Sequence, residues 1–224
     1  AMFTLLGWMQ RSPFEASTLL RGTDDMVRMV DVRDFLAGQN WFDLMQYRLG
    51  VEPGTLMHWS RLIDAPIAAL VMIGNALGLG DAEKFAAITW PFLTFVAAFA
   101  GLLAGVKRGS GSSNILPALV IGGFALAGSG VFDSGVVDHH NVQLALTIWL
   151  IVALLPSRRP QFDLAAAGVI MSLMLAVGME SIPVVIAGAC AIAVRLMIEG
   201  VDLAEPVRGF GLALALSITA LFFV

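Results

Sequence analysis

The chain has 224 residues, of which 58% are hydrophobic and only 13% charged, and its mean hydropathy is +0.84. Soluble domains carry about 25% charged residues, so this composition excludes an ordinary soluble domain and assigns the chain to a membrane. A net charge of −4, with 13 basic residues that line no single element, excludes a nucleic-acid partner, and the lone Cys190 excludes an internal disulfide framework.

Residues 1–9 are apolar but too few to span a bilayer, which takes about 20 residues. They read as an interfacial anchor or as the remainder of a span that begins upstream. No basic stretch precedes them and no small-residue cleavage site follows, which argues against a signal peptide. From Arg11 to Asp64 the composition turns polar and aromatic-rich, with turn residues at Leu49-Gly50-Val51-Glu52-Pro53-Gly54. The chain therefore divides into an N-terminal anchor and outer loop, 1–64, and a transmembrane helical bundle, 65–224. Within the loop, Asp24, Arg28 and Asp31 recur at helical spacing with Asp34 one step further, while Met26, Met29, Val30 and Leu36 cover much of the rest. This pattern predicts an amphipathic helix over 24–36, lying in the interface and capped by Thr23. In the plainest reading, Asp24 and Asp25 complement the positive end of that helix's dipole.

Residues 64–79 are apolar but short, and are broken by Gly and Asn. Stronger candidate spans are 85–106, 115–131, 142–155, 163–179, 182–198 and 207–224, several at the short end for a full crossing. Lys107-Arg108 and Ser157-Arg158-Arg159 flank spans, and the positive-inside tendency puts both on the cytoplasmic side. The loop from Phe132 to Asn141 is then outside, as is Asp81-Ala82-Glu83-Lys84, and 64–79 becomes a re-entrant or interfacial helix. Glu180 lies outside, and the 195–208 loop, with Arg195 and Arg208, returns to the cytoplasm. The expected class is an all-α integral membrane protein, a polytopic helix bundle with a large first outer loop containing juxtamembrane helices. Asp24, Asp25, Asp31, Asp34, His58, Asp133, Asp138, His139, His140 and Glu180 all gather on its outer face.

Two of the chain's three histidines sit in Val137-Asp138-His139-His140-Asn141, at the start of a span. Asp138 could simply cap the following helix. Ionisable residues at this depth are nonetheless functional candidates, and a carboxylate beside imidazoles is a metal-ligand set. Oxygen-rich sites favour Mg or Mn, and added imidazole admits Zn. With Asp24 and Asp25 on the same side, two carboxylates and an imidazole can converge on one divalent cation.

These residues resemble the N-terminal part of a GT-C-fold glycosyltransferase, the membrane superfamily that includes the oligosaccharyltransferase catalytic subunits and uses polyprenyl-phosphate-linked sugars. In that family an aspartate opens an amphipathic helix in the large first outer loop, and a second acidic motif sits in the next outer loop ahead of a span. Asp25-Met26-Val27 through Trp41-Phe42-Asp43 resembles the first motif, and Asp138-His139-His140-Asn141 the second, with His140 in its third position. The likeness covers roughly residues 20–160. It implies sugar transfer from a polyprenyl-phosphate-linked donor to a lipid, glycan or protein acceptor. The setting it implies is a bacterial inner membrane, with the active site facing the periplasm or exterior.

An inverting displacement needs a carboxylate to deprotonate or orient the acceptor and positive charge to stabilise the leaving phosphate. Asp25, or Asp24, is the expected catalytic residue. Asp25, Asp138 and His140 are the expected ligands of Mn or Mg, and Arg28, His58 and Arg61 are expected to face the donor phosphate. The alternative is a transporter or ion-permease fragment that uses the same acids and histidines as an ion site. It predicts ionisable groups at membrane midplane, whereas the spans from 85 to 179 are nearly free of them.

Overall fold

The structure, a computed structural model, describes residues 19–223. The apolar stretch 1–9, read above as an anchor, lies outside the described residues. The described chain is predominantly helical, with one two-stranded ribbon as its only sheet. It divides into two compact units, the first built from residues up to 96 together with 126–141, the second from 97–125 and 142 onward.

In the first unit, helix α1 spans Thr23–Leu36, with Gly22 rather than Thr23 at its N-cap. Asp25 supplies the cap, because its carboxylate accepts the Gly22 N–H at 2.9 Å. Asp24 and Asp25 in the first turn and Arg33 in the last complement the helix dipole. A helix forms over the expected residues, but without the expected apolar face, since Met29 packs inward together with the charged side chains. Asp25, Arg28, Met29, Asp31 and Val32 are all buried, while Met26 and Leu36 are exposed. The polar stripe can face inward because each charge on it meets a partner there. A short antiparallel ribbon follows, β1 (Met45–Gln46) against β2 (Thr55–Leu56), in the register Met45 to Leu56 and Gln46 to Thr55.

Helix α2, Arg61–Ala76, is capped by Ser60, whose hydroxyl accepts the Leu62 N–H. At 16 residues it reaches about 24 Å at 1.5 Å per residue, less than the roughly 30 Å of a bilayer core. Helix α3, Ala82–Ser110, is 29 residues long.

Among the described residues, three helical stretches are long and apolar enough to cross a membrane: α3, α5 (Pro160–Val177) and the run Met179–Phe222. The last consists of α6 (Ile182–Glu199) and α7 (Ala204–Phe222) joined by a 3-10 turn. Two expected spans are shorter. The 115–131 region is a broken stretch, Ser112–Gly128, in which Pro117 and the Gly122-Gly123 pair interrupt the regular ladder with a π turn. The 142–155 region is the 15-residue helix α4, His140–Leu154.

The second unit packs around Leu150, Leu164, Met171, Met174 and Leu203. At Gly168 of α5 an added Cβ would lie 2.7 Å from the Phe210 carbonyl oxygen of α7, so the two backbones approach as closely as small residues allow. Charged groups in this unit sit at helix ends. Arg108 forms a forked pair with Asp163 at 2.7 and 3.0 Å, Arg195 pairs with Glu199, and Gln143 donates to Glu180 at 3.2 Å.

Candidate functional site

The site is assembled in the first unit from α1, the start of α2 and the loop that precedes α4. Asp25 joins the first of these to the last. It is 5% exposed, and its Oδ1 accepts the backbone N–H groups of Val137 at 2.8 Å and Asp138 at 3.0 Å. The other carboxylate oxygen takes the Gly22 N–H. Burial pushes the Asp25 carboxyl above the usual carboxylate range, the three N–H groups partly offset this, and the nearby Asp138 charge adds to the rise.

The loop it grips is held at several further points. Phe132 is buried edge-on against Phe95, with ring centroids 5.6 Å apart. Gly135 donates to the Ala87 carbonyl at 2.9 Å, and its φ of +91° suits glycine. A Cβ there would fall 2.0 Å from the Leu19 carbonyl oxygen. Asn141 is fully buried and donates to the Val136 carbonyl at 3.1 Å, tying the loop to the first turn of α4.

Asp138 is not the N-cap in the expected sense. Helix α4 begins at His140, and Asp138 turns its carboxylate toward both imidazoles. Its Oδ1 lies 2.5 Å from His139 Nδ1 and its Oδ2 3.3 Å from His140 Nε2. Oδ1 also accepts the His139 N–H. Burial opposes ionisation of Asp138, but the His139 hydrogen bond, the neighbouring imidazoles and the backbone N–H outweigh it, holding the carboxyl below its usual range. One oxygen and two nitrogens of Asp138, His139 and His140 thus lie within 4.8 Å of one another. Two donors each about 2.0–2.2 Å from one ion can be no more than about 4.4 Å apart, so the three would share a cation after drawing slightly together. His139 enters this set, where only Asp138, His140 and Asp25 were expected. Asp25 reaches the motif through its backbone and stands outside the cluster.

Behind His139 lies a buried ionic cluster. Arg28 is 0% exposed, donates to Asp64 Oδ1 at 2.6 Å and lies 3.5 Å from His139 Nδ1. Its guanidinium stacks 4.4 Å over the Trp59 ring, and Trp59 in turn lies 6.1 Å from the His139 ring. Arg61 donates to Asp64 Oδ2 at 2.9 Å and to the carbonyls of Asp31 and Asp43. Gln46 of β1 donates to Asp31 and Asp34.

Comparisons with protein-family models, curated proteins and solved structures find no match to this chain.

The remaining expected residues are distributed unevenly around this centre. Arg28 and Arg61 are near it, but their charge is engaged by Asp64 inside the fold, where buried charges need a partner. They brace α1 against α2. Asp24 and His58 are exposed, with the His58 ring beside Trp59 at 5.9 Å. Asp24 accepts the Thr23 hydroxyl. Arg21, which the sequence pattern did not single out because it precedes the amphipathic run, is largely exposed and pairs with Asp133 of the loop at 3.5 Å. Asp64, also missed, looked like the boundary residue of an apolar segment. Its signal was the i, i+3 spacing from Arg61, which puts an acid and a base on one helix face.

Proposed function

We propose that this chain is a polytopic membrane glycosyltransferase that moves a sugar from a polyprenyl-phosphate-linked donor to an acceptor at the outer face of the membrane. The observation that carries this reading is the grip of Asp25 on the N–H groups of Val137 and Asp138. It joins two acidic motifs, more than a hundred positions apart, whose order resembles the GT-C pattern. Asp138, His139 and His140 hold the divalent cation, and the two imidazoles shift the preference from Mg toward Mn or Zn. Such an ion supplies positive charge to a leaving phosphate.

The exposed Asp24 carboxylate takes the acceptor proton, while His58 and Arg21 meet the donor phosphate. Asp25 aligns the metal-binding loop, and Arg28 and Arg61 hold α1 and α2 in register behind it. A lipid-linked donor suits a site built beside a helix long enough to span the bilayer, because the substrate arrives sideways from the membrane. A transporter would need ionisable groups along the spans. In α3 and α5, charged residues are confined to the terminal turns.

The test is transfer from a polyprenyl-phosphate sugar by the reconstituted protein. Asp138→Asn is expected to abolish transfer and weaken Mn binding, and Asp133→Asn to leave both nearly intact. Retention of full transfer in Asp138→Asn would sink the reading.

A further inference from the structure

The segment between α1 and α2 that carries the ribbon exposes several large apolar side chains. Phe42 is 70% exposed, Tyr47 63%, Val51 86% and Leu56 68%, all within 15 residues of chain. Single exposed apolar residues are ordinary on a protein surface, but a cluster marks contact with something else. The register explains how the cluster arises. Gln46 is buried and faces Asp31 and Asp34, so by strand alternation Met45, and Leu56 opposite it, point the other way, while Tyr47 follows in the turn and is exposed.

The depth of this face is set by two ion pairs. Arg48 at the end of β1 pairs with Asp34 at 2.5 Å, and Arg33, the preceding residue of α1, forms a forked pair with Glu83 at 2.5 and 2.7 Å. Glu83 is the second residue of α3, so the base of the ribbon is tied to the outer end of a helix long enough to span the bilayer. Tyr47 places an aromatic body outward while its hydroxyl donates to Asp43 at 3.1 Å, the division of an amphipathic ring found at lipid headgroup level.

We infer that this ribbon is a membrane-dipping element, whose outer face, Tyr47, Leu56 and the Val51 tip, enters the headgroup region of the outer leaflet. The occupant of the apolar face is lipid. The inference rests on the membrane placement of α3 and not on the transfer chemistry.

The test is depth-resolved quenching in vesicles of phosphatidylcholine and phosphatidylglycerol. An environment-sensitive fluorophore is placed at Val51→Cys and, separately, at Leu56→Cys, in a Cys190→Ser background that removes the exposed native thiol. A third label at Leu93→Cys, about 17 Å along α3 from Ala82 at 1.5 Å per residue, marks the bilayer interior. Labels at Val51 and Leu56 are expected to be blue-shifted and quenched more strongly by headgroup-attached nitroxide than by aqueous iodide. Preferential quenching by iodide would overturn the inference, as would shielding from both quenchers, which would mean that protein covers the face. If Leu93 also reports water, the membrane placement itself fails, whereas a lipid signal at Leu93 with an aqueous signal at both ribbon sites defeats the ribbon inference alone.

Discussion

At the scale of single residues, the informative side chain is Asp25. A carboxylate that accepts three backbone N–H groups acts as a clamp, so its charge matters less than its acceptor oxygens. Asp25→Asn keeps one acceptor toward Val137 and Asp138 and is expected to retain most Mn affinity by titration. Asp25→Ala is expected to lose about 1–3 kcal/mol for each buried N–H left without a partner, measured by denaturant unfolding in detergent. Equal loss of metal in Asp25→Asn and Asp138→Asn would make Asp25 a ligand instead. Asp31 offers a pH signature. Burial raises its carboxyl above the ordinary value of 3.8, and the Gln46 hydrogen bond only partly offsets this. Its contribution to stability is therefore complete below that ordinary value and is lost as pH rises through the elevated folded one. The melting temperature of Asp31→Asn relative to the parent is expected to climb over that rise. A constant difference across the range would exclude the effect.

At the scale of elements, α1 and α2 are joined by the buried Arg28–Asp64–Arg61 cluster. Removing one member of a buried ion cluster leaves uncompensated charge and costs about 3–5 kcal/mol, whereas replacing all members with matched apolar residues is often neutral. Asp64→Ala is accordingly expected to unfold far more readily than the triple variant Arg28→Met, Arg61→Met, Asp64→Leu, as read by thermal melts. The helix over 24–36 was visible in the sequence because its periodicity is local. Its orientation was not, because Arg28 meets Asp64 36 positions away and His139 111 positions away, and periodicity alone cannot say whether a charged stripe meets water or other charges. His139 was visible beside Asp138 but stayed out of the expected ligand set for a related reason. Spacing assigned the third position of the motif to His140, while the turn before α4 folds both imidazoles toward one carboxylate.

At the scale of the whole molecule, apolar composition identified the helices and the basic pairs suggested their direction. A π turn over Ala118–Gly122 then interrupts the Ser112–Gly128 stretch, an effect that hydropathy averages conceal. The proposed topology puts the two ends of α3 on opposite sides of the membrane. In the Cys190→Ser background, Gly80→Cys is expected to react with an impermeant maleimide added outside intact cells, and Ser110→Cys only after permeabilisation. The reverse pattern would invert the assignment and move the candidate site to the cytoplasm.

Trp59, buried against the Arg28 guanidinium and near the His139 ring, is in effect a built-in optical probe. Its indole sits close to both a permanent cation and a candidate ligand, so its emission should respond to any charge that arrives at His139. Subtracting the spectrum of Trp59→Phe from that of the parent isolates this signal from the other tryptophans. A Mn- or Zn-dependent change in that difference would let occupancy of the centre be followed by light, without a substrate and before any acceptor is known.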